Sequence, residues 1–263
     1  MKNLFVILFF VLAFSTTLSA QGKKPIGASP VQQIRLDKNG FGFLPPAKLS
    51  PNKKLTLWAT FYYVHEAPFD DSGIPLIDPD GHQTGAKLKS CDWCDAAVEG
   101  TVYTTDKNGK KITLNYANTG PEQAVDCDAS CYKYRNYKNK KVGYSLWVPA
   151  GGEFGDGVSG YKLVPYRTIA VDKSVFPIGT LIFIPDAVGV EIVLPDGSKS
   201  KHDGYFFAAD MGGDIKGDHI DVFLGLHGIN PFSFVRSNSE KTFTAYQVKD
   251  SQVEQALTSI HKN

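Results

Sequence analysis

The chain has 263 residues, with 28 Lys and Arg against 27 Asp and Glu, for a formal net charge of +1. Charge this balanced makes no global field that would draw nucleic acid or an anionic membrane, and neither is expected as a partner. The length suits one large domain, or a core carrying an elaborate insertion, and the 12% aromatic share suits a β-rich fold.

Residues 1–20, MKNLFVILFFVLAFSTTLSA, open with Lys2, run through an apolar stretch and end in small residues. This is the pattern of a secretory signal cut near Ala20. The apolar run Leu4 to Phe14 is shorter than the roughly 20 residues a bilayer requires. No cysteine follows the cut to carry a lipid, so a secreted or periplasmic protein without a stable membrane anchor is expected. Residues 21–52, rich in Pro, Gly, Lys and Gln, read as an extended leader that packs at its later end, where FGFLPP occurs. The body of the protein is expected over 53–263.

KLTLWATFYYV, residues 54–64, alternates Leu55, Leu57, Ala59, Phe61 and Tyr63 with Thr56, Trp58, Thr60 and Tyr62, the period of a strand. Residues 65–100 read as irregular. VYTTDKNGKKITLNYA, residues 102–117, reads as a hairpin with a tight type I′ turn at Asn108-Gly109. CDWC at 91–94 and CDASC at 127–131 hold the four cysteines. Two close pairs suit a zinc ribbon, but export favours disulfides, and three pairings stay open. The tract KYRNYKNKK, residues 133–141, could face an acidic polymer, although such runs are more often solvated faces.

From Lys162 the β signals return as YRTIAVD, TLIFIP, VEIVLPDGSK, GYFFAAD, HIDVFLG and KTFTAYQVK, with a hairpin turn at Pro195-Asp196-Gly197. From Ser251, Val253, Ala256, Leu257 and Ile260 share one helical face, and Ser251 with Glu254 has capping-box spacing. Short strands at close spacing without a helix-rich middle predict a small closed β-barrel with an inserted subregion.

Asp172, Asp210 and Asp221 each end a short apolar run, where a buried strand meets its turn. Carboxylates that converge there repel and desolvate one another, which raises the pKa of at least one. An acid still protonated near neutral pH is what glycosidic cleavage needs as proton donor. The alternative is that each aspartate only caps backbone N–H groups in its turn. Trp58, Tyr62 and Trp147 are candidates for stacking on sugar or for core packing. His219 is expected on the surface, and His65 and His82 lack metal-ligand spacing with another histidine.

The run YRTIAVDKSVFPIGTLIFIP followed by GYFFAADMGGDIKGDHIDVFLG resembles the 3D domain, named for three aspartates and found in membrane-bound lytic transglycosylase A and small stationary-phase survival proteins. The resemblance covers about residues 54–64 and 161–250, with A-x-D-x4-P-x-G-T and A-D-x-G-G-x-I-K-G-x-x-I-D both intact. It implies a mainly β fold: a six-stranded double-psi β-barrel related to rare lipoprotein A and expansins. Here it would carry a disulfide-containing insertion at about 88–160 and a short C-terminal helix.

The family's functional aspartates fall at Asp172, Asp210 and Asp221, with Asp221 implied as the single acid/base. Thr60 falls where a groove-bordering threonine lies, and Lys87 is the best local match for a lysine that contributes in some relatives. Tyr62 and Lys216 complete the expected substrate contacts, Lys216 reading either as such a contact or as an outward solvated charge. The implied activity is lytic transglycosylation of peptidoglycan glycan strands by a monomer, with no metal or organic cofactor. A non-catalytic glycan-binding or wall-loosening protein, and a β-1,4-glycan hydrolase using Asp172 or Asp210 to activate water, are the alternatives.

Overall fold

The computed structural model describes residues 40–226 and 228–263, without the Asn52 side chain. The expected signal over 1–20 and the first part of the leader lie outside the described residues.

In chain order the strands and helices are β1 (Lys54–Tyr62), β2 (His65–Glu66), β3 (Ile74–Ile77), β4 (Gln83–Leu88), α1 (Ser90–Glu99), β5 (Thr101–Thr105), β6 (Lys111–Thr119), α2 (Cys127–Ser130), β7 (Ser145–Pro149), β8 (Thr168–Ala170), β9 (Leu181–Phe183), β10 (Glu191–Val193), β11 (Lys199–Lys201), β12 (Tyr205–Asp210), β13 (His219–Phe223), β14 (Phe243–Val248) and α3 (Ser251–Ile260). Six of the strands close a barrel in the order β1-β13-β8-β12-β9-β14. Its interior follows the period-2 pattern of β1: Leu57 and Ala59 are buried with Ile169, Ile182, Phe206, Ile220 and Ala245, and Leu55 and Phe61 pack against them. The Pro195-Asp196-Gly197 turn joins β10 to β11 as expected, with Gly197 at φ 79°.

Between β1 and β8 the chain leaves the barrel and builds a second layer. Strands β2, β5, β6 and β7 form one sheet and β3 and β4 a separate pair. Its own core sets Trp93 edge-on to Trp147 at 5.9 Å, so Trp147 is core and not a sugar platform. Disulfides Cys91–Cys131 and Cys94–Cys127 fasten α1 to α2, which settles both the pairing and the choice against zinc. Closing the inner loop, 33 residues in separation, stabilises the fold by about 4 kcal/mol in the chain-entropy picture, and the outer bridge adds less because it then closes only a short ring.

Three local readings are corrected. Residues 65–100 are not irregular: they hold three strands and α1. The β5–β6 turn is not type I′, because only Gly109 has positive φ. Asp106 instead accepts the Asn108 and Lys110 N–H groups and so sets a longer turn. At α3 the cap is Asp250, whose carboxylate accepts from Gln252 and Val253 N–H, and not Ser251. The helix lays Val253 and Leu257 over Phe183, Tyr205 and Phe207 on the outer face of the barrel.

One buried ion pair ties the start of the described chain to the barrel. Arg167 donates to both oxygens of Asp203 at 2.6 Å, and also to the Gly40 carbonyl. Asp203 in turn accepts from Gly42 and Phe43 N–H. Burial alone would raise the Asp203 carboxyl, but the Arg167 hydrogen bonds and charge outweigh it and hold the pKa below the usual value.

Candidate active site

The barrel register builds the site. β13 lies between β1 and β8, and β8 lies between β13 and β12. Asp221 pairs with Thr60 on one side and with Ala170 on the other, while Asp210 pairs with Ala170 from the opposite flank. The two acids therefore straddle a single alanine, two strand spacings or roughly 9–10 Å apart by backbone. A register shift between Ala208 and Asp210 bends the end of β12 and sets the direction of Asp210.

The hydrogen bonds around each acid differ. Thr60 Oγ1 donates to Asp221 Oδ1 at 2.6 Å and lies 2.8 Å from His219 Nε2. Thr60 Oγ1 thus bridges the Asp221 carboxyl and the His219 imidazole. His219 is buried, contrary to the surface position expected for it, because Trp58 stacks on it at 3.6 Å with the planes 8° apart. Its pKa is lowered, chiefly by burial. Tyr62 donates to Asp210 Oδ2 at 2.8 Å, and the Met211 N–H donates to Oδ1 at 2.8 Å.

Burial pushes Asp210 up to about 6 against the lowering effect of these two donors. Burial likewise pushes Asp221 up to about 6; the Thr60 hydroxyl opposes the rise and the Asp210 charge adds to it. Both acids line a cleft of about 520 Å³, floored by Ala170 and bounded by Tyr62, Glu99, Tyr137 and Met211.

Asp172 belongs elsewhere. Its carboxylate accepts the Gly217 N–H at 3.0 Å and both the N–H and hydroxyl of Ser174, and it is absent from the cleft wall. Those donors, the Gly217 N–H first, hold it down to about 2. It ties the turn after β8 to the loop between β12 and β13, where Gly217 takes φ 63°, a conformation open to glycine at no steric cost. Lys216 is exposed beside Asp172, outside the cleft wall. Lys87, on β4, donates to the Asp71 carbonyl at 3.3 Å and is likewise not in the cleft.

One lining acid had no signal in the sequence. Glu99 ends α1, accepts the Tyr63 N–H at 3.2 Å and faces the same cleft. Burial pushes it up to about 7, with the Tyr63 N–H opposing and the Asp221 charge adding to the rise. Nothing in DAAVEG marks it, since its place depends on α1 packing beside the end of β1.

Among the described residues, two clusters have donor atoms within reach of one cation, His65–Asp92–Asp95 and Asp78–Asp80–His82. In the first, the Lys133 ammonium already sits 2.6 Å from Asp95, and Tyr134 donates to the same carboxylate. The second is an exposed turn in which Asp78 accepts from Asp80 and His82 N–H.

Among solved structures, E. coli MltA with bound chitohexaose is similar at 17% identity over 74% of this chain and 72% of that one, with a TM-score of 0.48. The membrane-bound lytic murein transglycosylase of Agrobacterium tumefaciens is similar at 14% identity over 79% and 77%, with a TM-score of 0.47. MltA of Neisseria gonorrhoeae is similar at 12% identity over 73% and 72%, with a TM-score of 0.44. No curated protein matches the chain. Residues 167–228 match the 3D domain, and that stretch contains Asp172, Asp210 and Asp221.

Proposed function

We propose that this protein is an exported lytic transglycosylase that cleaves the β-1,4 bond between N-acetylmuramic acid and N-acetylglucosamine in peptidoglycan. The observation that carries the reading is the pair of half-buried acids, Asp221 and Asp210, flanking Ala170 on the floor of an open cleft within a 3D domain. The two disulfides fit an oxidising compartment outside the cytoplasm. No helix among the described residues is long and apolar enough to cross a membrane.

In the proposed reaction, Asp221 in its protonated form donates to the glycosidic oxygen as the bond to the muramoyl C1 breaks. The resulting carboxylate then takes the proton of the C6 hydroxyl of the same sugar, whose oxygen closes on C1 as a 1,6-anhydro ring. The proton count balances and the side chain returns to its starting state. One carboxyl suffices because the nucleophile belongs to the substrate, already held in place. Burial keeps the proton on Asp221 to higher pH, Thr60 and His219 fix its orientation, and Asp210 with Tyr62 sets the local charge.

Hydrolysis is the second reading, and Glu99 favours it: a carboxyl on the wall facing the same cleft could activate a water where Asp172 cannot. Mass spectrometry of digested peptidoglycan separates the two. Products ending in 1,6-anhydro-muramic acid, absent with Asp221→Asn, support the transglycosylase; reducing ends overturn it in favour of hydrolysis. Binding without any soluble product would make the protein a glycan binder.

A further inference from the structure

The tract from Lys133 to Lys141 is largely exposed, as expected of a solvated face, but it is held in a defined fold. Its approach is pinned to α1 by both disulfides, through Cys127 and Cys131. Past Cys131 the chain folds back on itself. Asp128 accepts the Asn136 N–H, Asn136 takes φ 64°, and the Asn139 side chain accepts the Lys141 N–H at 3.1 Å.

Two of the five cations in the tract are committed, Lys133 to Asp95 at 2.6 Å and Lys140 to Asp128 at 3.1 Å. Lys138 and Lys141 have no ion pair among the described residues. Arg135 lies over the Tyr132 ring at 5.1 Å, and its charge also acts on Asp128, which is shared with Lys140. The fold-back encloses a depression of about 840 Å³ lined by Lys133, Arg135, Lys138, Tyr137, Asn139 and Asp214. Tyr137, Asn139 and Asp214 also line the acid cleft, as does Lys141, so the two hollows share a wall. Asp214 is the single acid among these charged lining residues.

We propose that this basic depression binds the carboxylates of the peptide stems on the glycan strand, so that the preferred substrate is peptide-bearing and not naked glycan. The inference rests on the glycan reading of the cleft. A strand held over Asp210 and Asp221 carries its stems on the muramoyl sugar, next to the bond to be cut. A stem leaving the cleft past Tyr137 and Asn139 enters the depression, where Arg135 offers a fork matched to a carboxylate and Lys138 a second charge. Both groups are exposed, so the attraction depends on ionic strength.

The test is the affinity of full-length Asp221→Asn protein, read by fluorescence anisotropy, for three soluble preparations of matched chain length: stem-bearing strands freed of cross-links by an endopeptidase, the same strands freed of stems by an amidase, and stem-bearing strands from sacculi first stripped of phosphate-bearing polymers by hydrofluoric acid. Removing the stems is expected to weaken binding about tenfold, and 0.5 M salt to do about the same. Arg135→Glu with Lys138→Glu should bring binding of stem-bearing strands down to the stem-free level and barely change binding to stem-free glycan. Equal binding with and without stems overturns the inference and leaves the glycan reading standing. A loss that follows phosphate removal instead overturns the carboxylate assignment. Failure to bind any preparation removes both readings.

Discussion

The floor of the cleft and the turn just beyond it use the same side chain for opposite ends. Asp210 and Asp221 sit on strands with few donors and are pushed up to about 6 by burial. Asp172, two residues past the floor alanine, meets three donors near the surface and is held down to about 2. The three aspartates thus divide into two whose carboxyls burial raises and one whose carboxylate is held ionised by the donors of two loops. What decides the role is how many N–H and O–H groups point at each carboxylate and how much water reaches it.

The largest effect expected from this division is on turnover. Asp221→Asn should lower transglycosylation about a thousandfold, the scale of a lost general acid/base. Asp172→Asn should cost less than about a hundredfold, through a loosened loop. Release of soluble muropeptides from sacculi measures both. Equal losses would abolish the distinction between floor and turn.

Stability should separate the same residues with reversed sign. A carboxyl whose pKa is raised on folding contributes stability that is fully present below the unfolded value near 4 and lost as pH rises through about 6. Asp210→Asn and Asp221→Asn should therefore stabilise the protein at pH 8 by about 1–3 kcal/mol each, with the gain gone at pH 4. Asp172 is depressed, so its contribution persists above its unfolded value and disappears as pH falls through about 2. Asp172→Asn should lower the melting temperature at pH 8. Thermal melts at the two pH values give the signs directly, and destabilisation by Asp221→Asn at pH 8 would contradict the burial argument.

What the sequence disclosed follows the same physical line. The β1 alternation was legible because its burial repeats every second residue, whereas of the three aspartates only Asp210 ends its strand: Asp221 lies in the middle of β13, and Asp172 lies two residues beyond β8. The site partners were harder, since Thr60 meets His219 and Asp221 only when β1 pairs with β13, about 160 residues along the chain. His219 was expected outside because the ring that covers it, Trp58, arrives through that same pairing. Helix α1 was missed because SCDWCDAAVE is a modest helix former, ordered here by two disulfides whose pairing sequence left open. Lys87 was matched by local resemblance, and the β3–β4 pair carries it to Asp71 instead.

The pH profile tests the coupling on the floor. With Asp221 as proton donor, kcat/KM should fall as pH rises above about 6, as its protonated fraction declines. Tyr62 donates to Asp210 and lowers its pKa. In Tyr62→Phe, Asp210 keeps its proton to higher pH, so less negative charge faces Asp221. The alkaline limb should then move to lower pH, with a modest loss of rate. A limb that stays in place would mean the two acids titrate independently.

The smallest effect is expected at the wall. Glu99 is pushed up to about 7, above Asp210 and Asp221 at about 6, yet it hydrogen-bonds a backbone N–H at the exit of β1 and shares no donor with Asp221. If the nucleophile is the substrate's own C6 hydroxyl, no second carboxyl is needed to activate water. Glu99→Gln should then change turnover less than about fivefold, within what a shifted cleft wall costs, and the products should still end in anhydro rings. It should also stabilise the protein at pH 8 more than at pH 4, by the sign already given for raised carboxyls. If Glu99→Gln instead removes reducing-end products that the wild-type protein makes, the wall supplies the base, and the division of labour runs across the cleft between Glu99 and Asp221 and not along its floor.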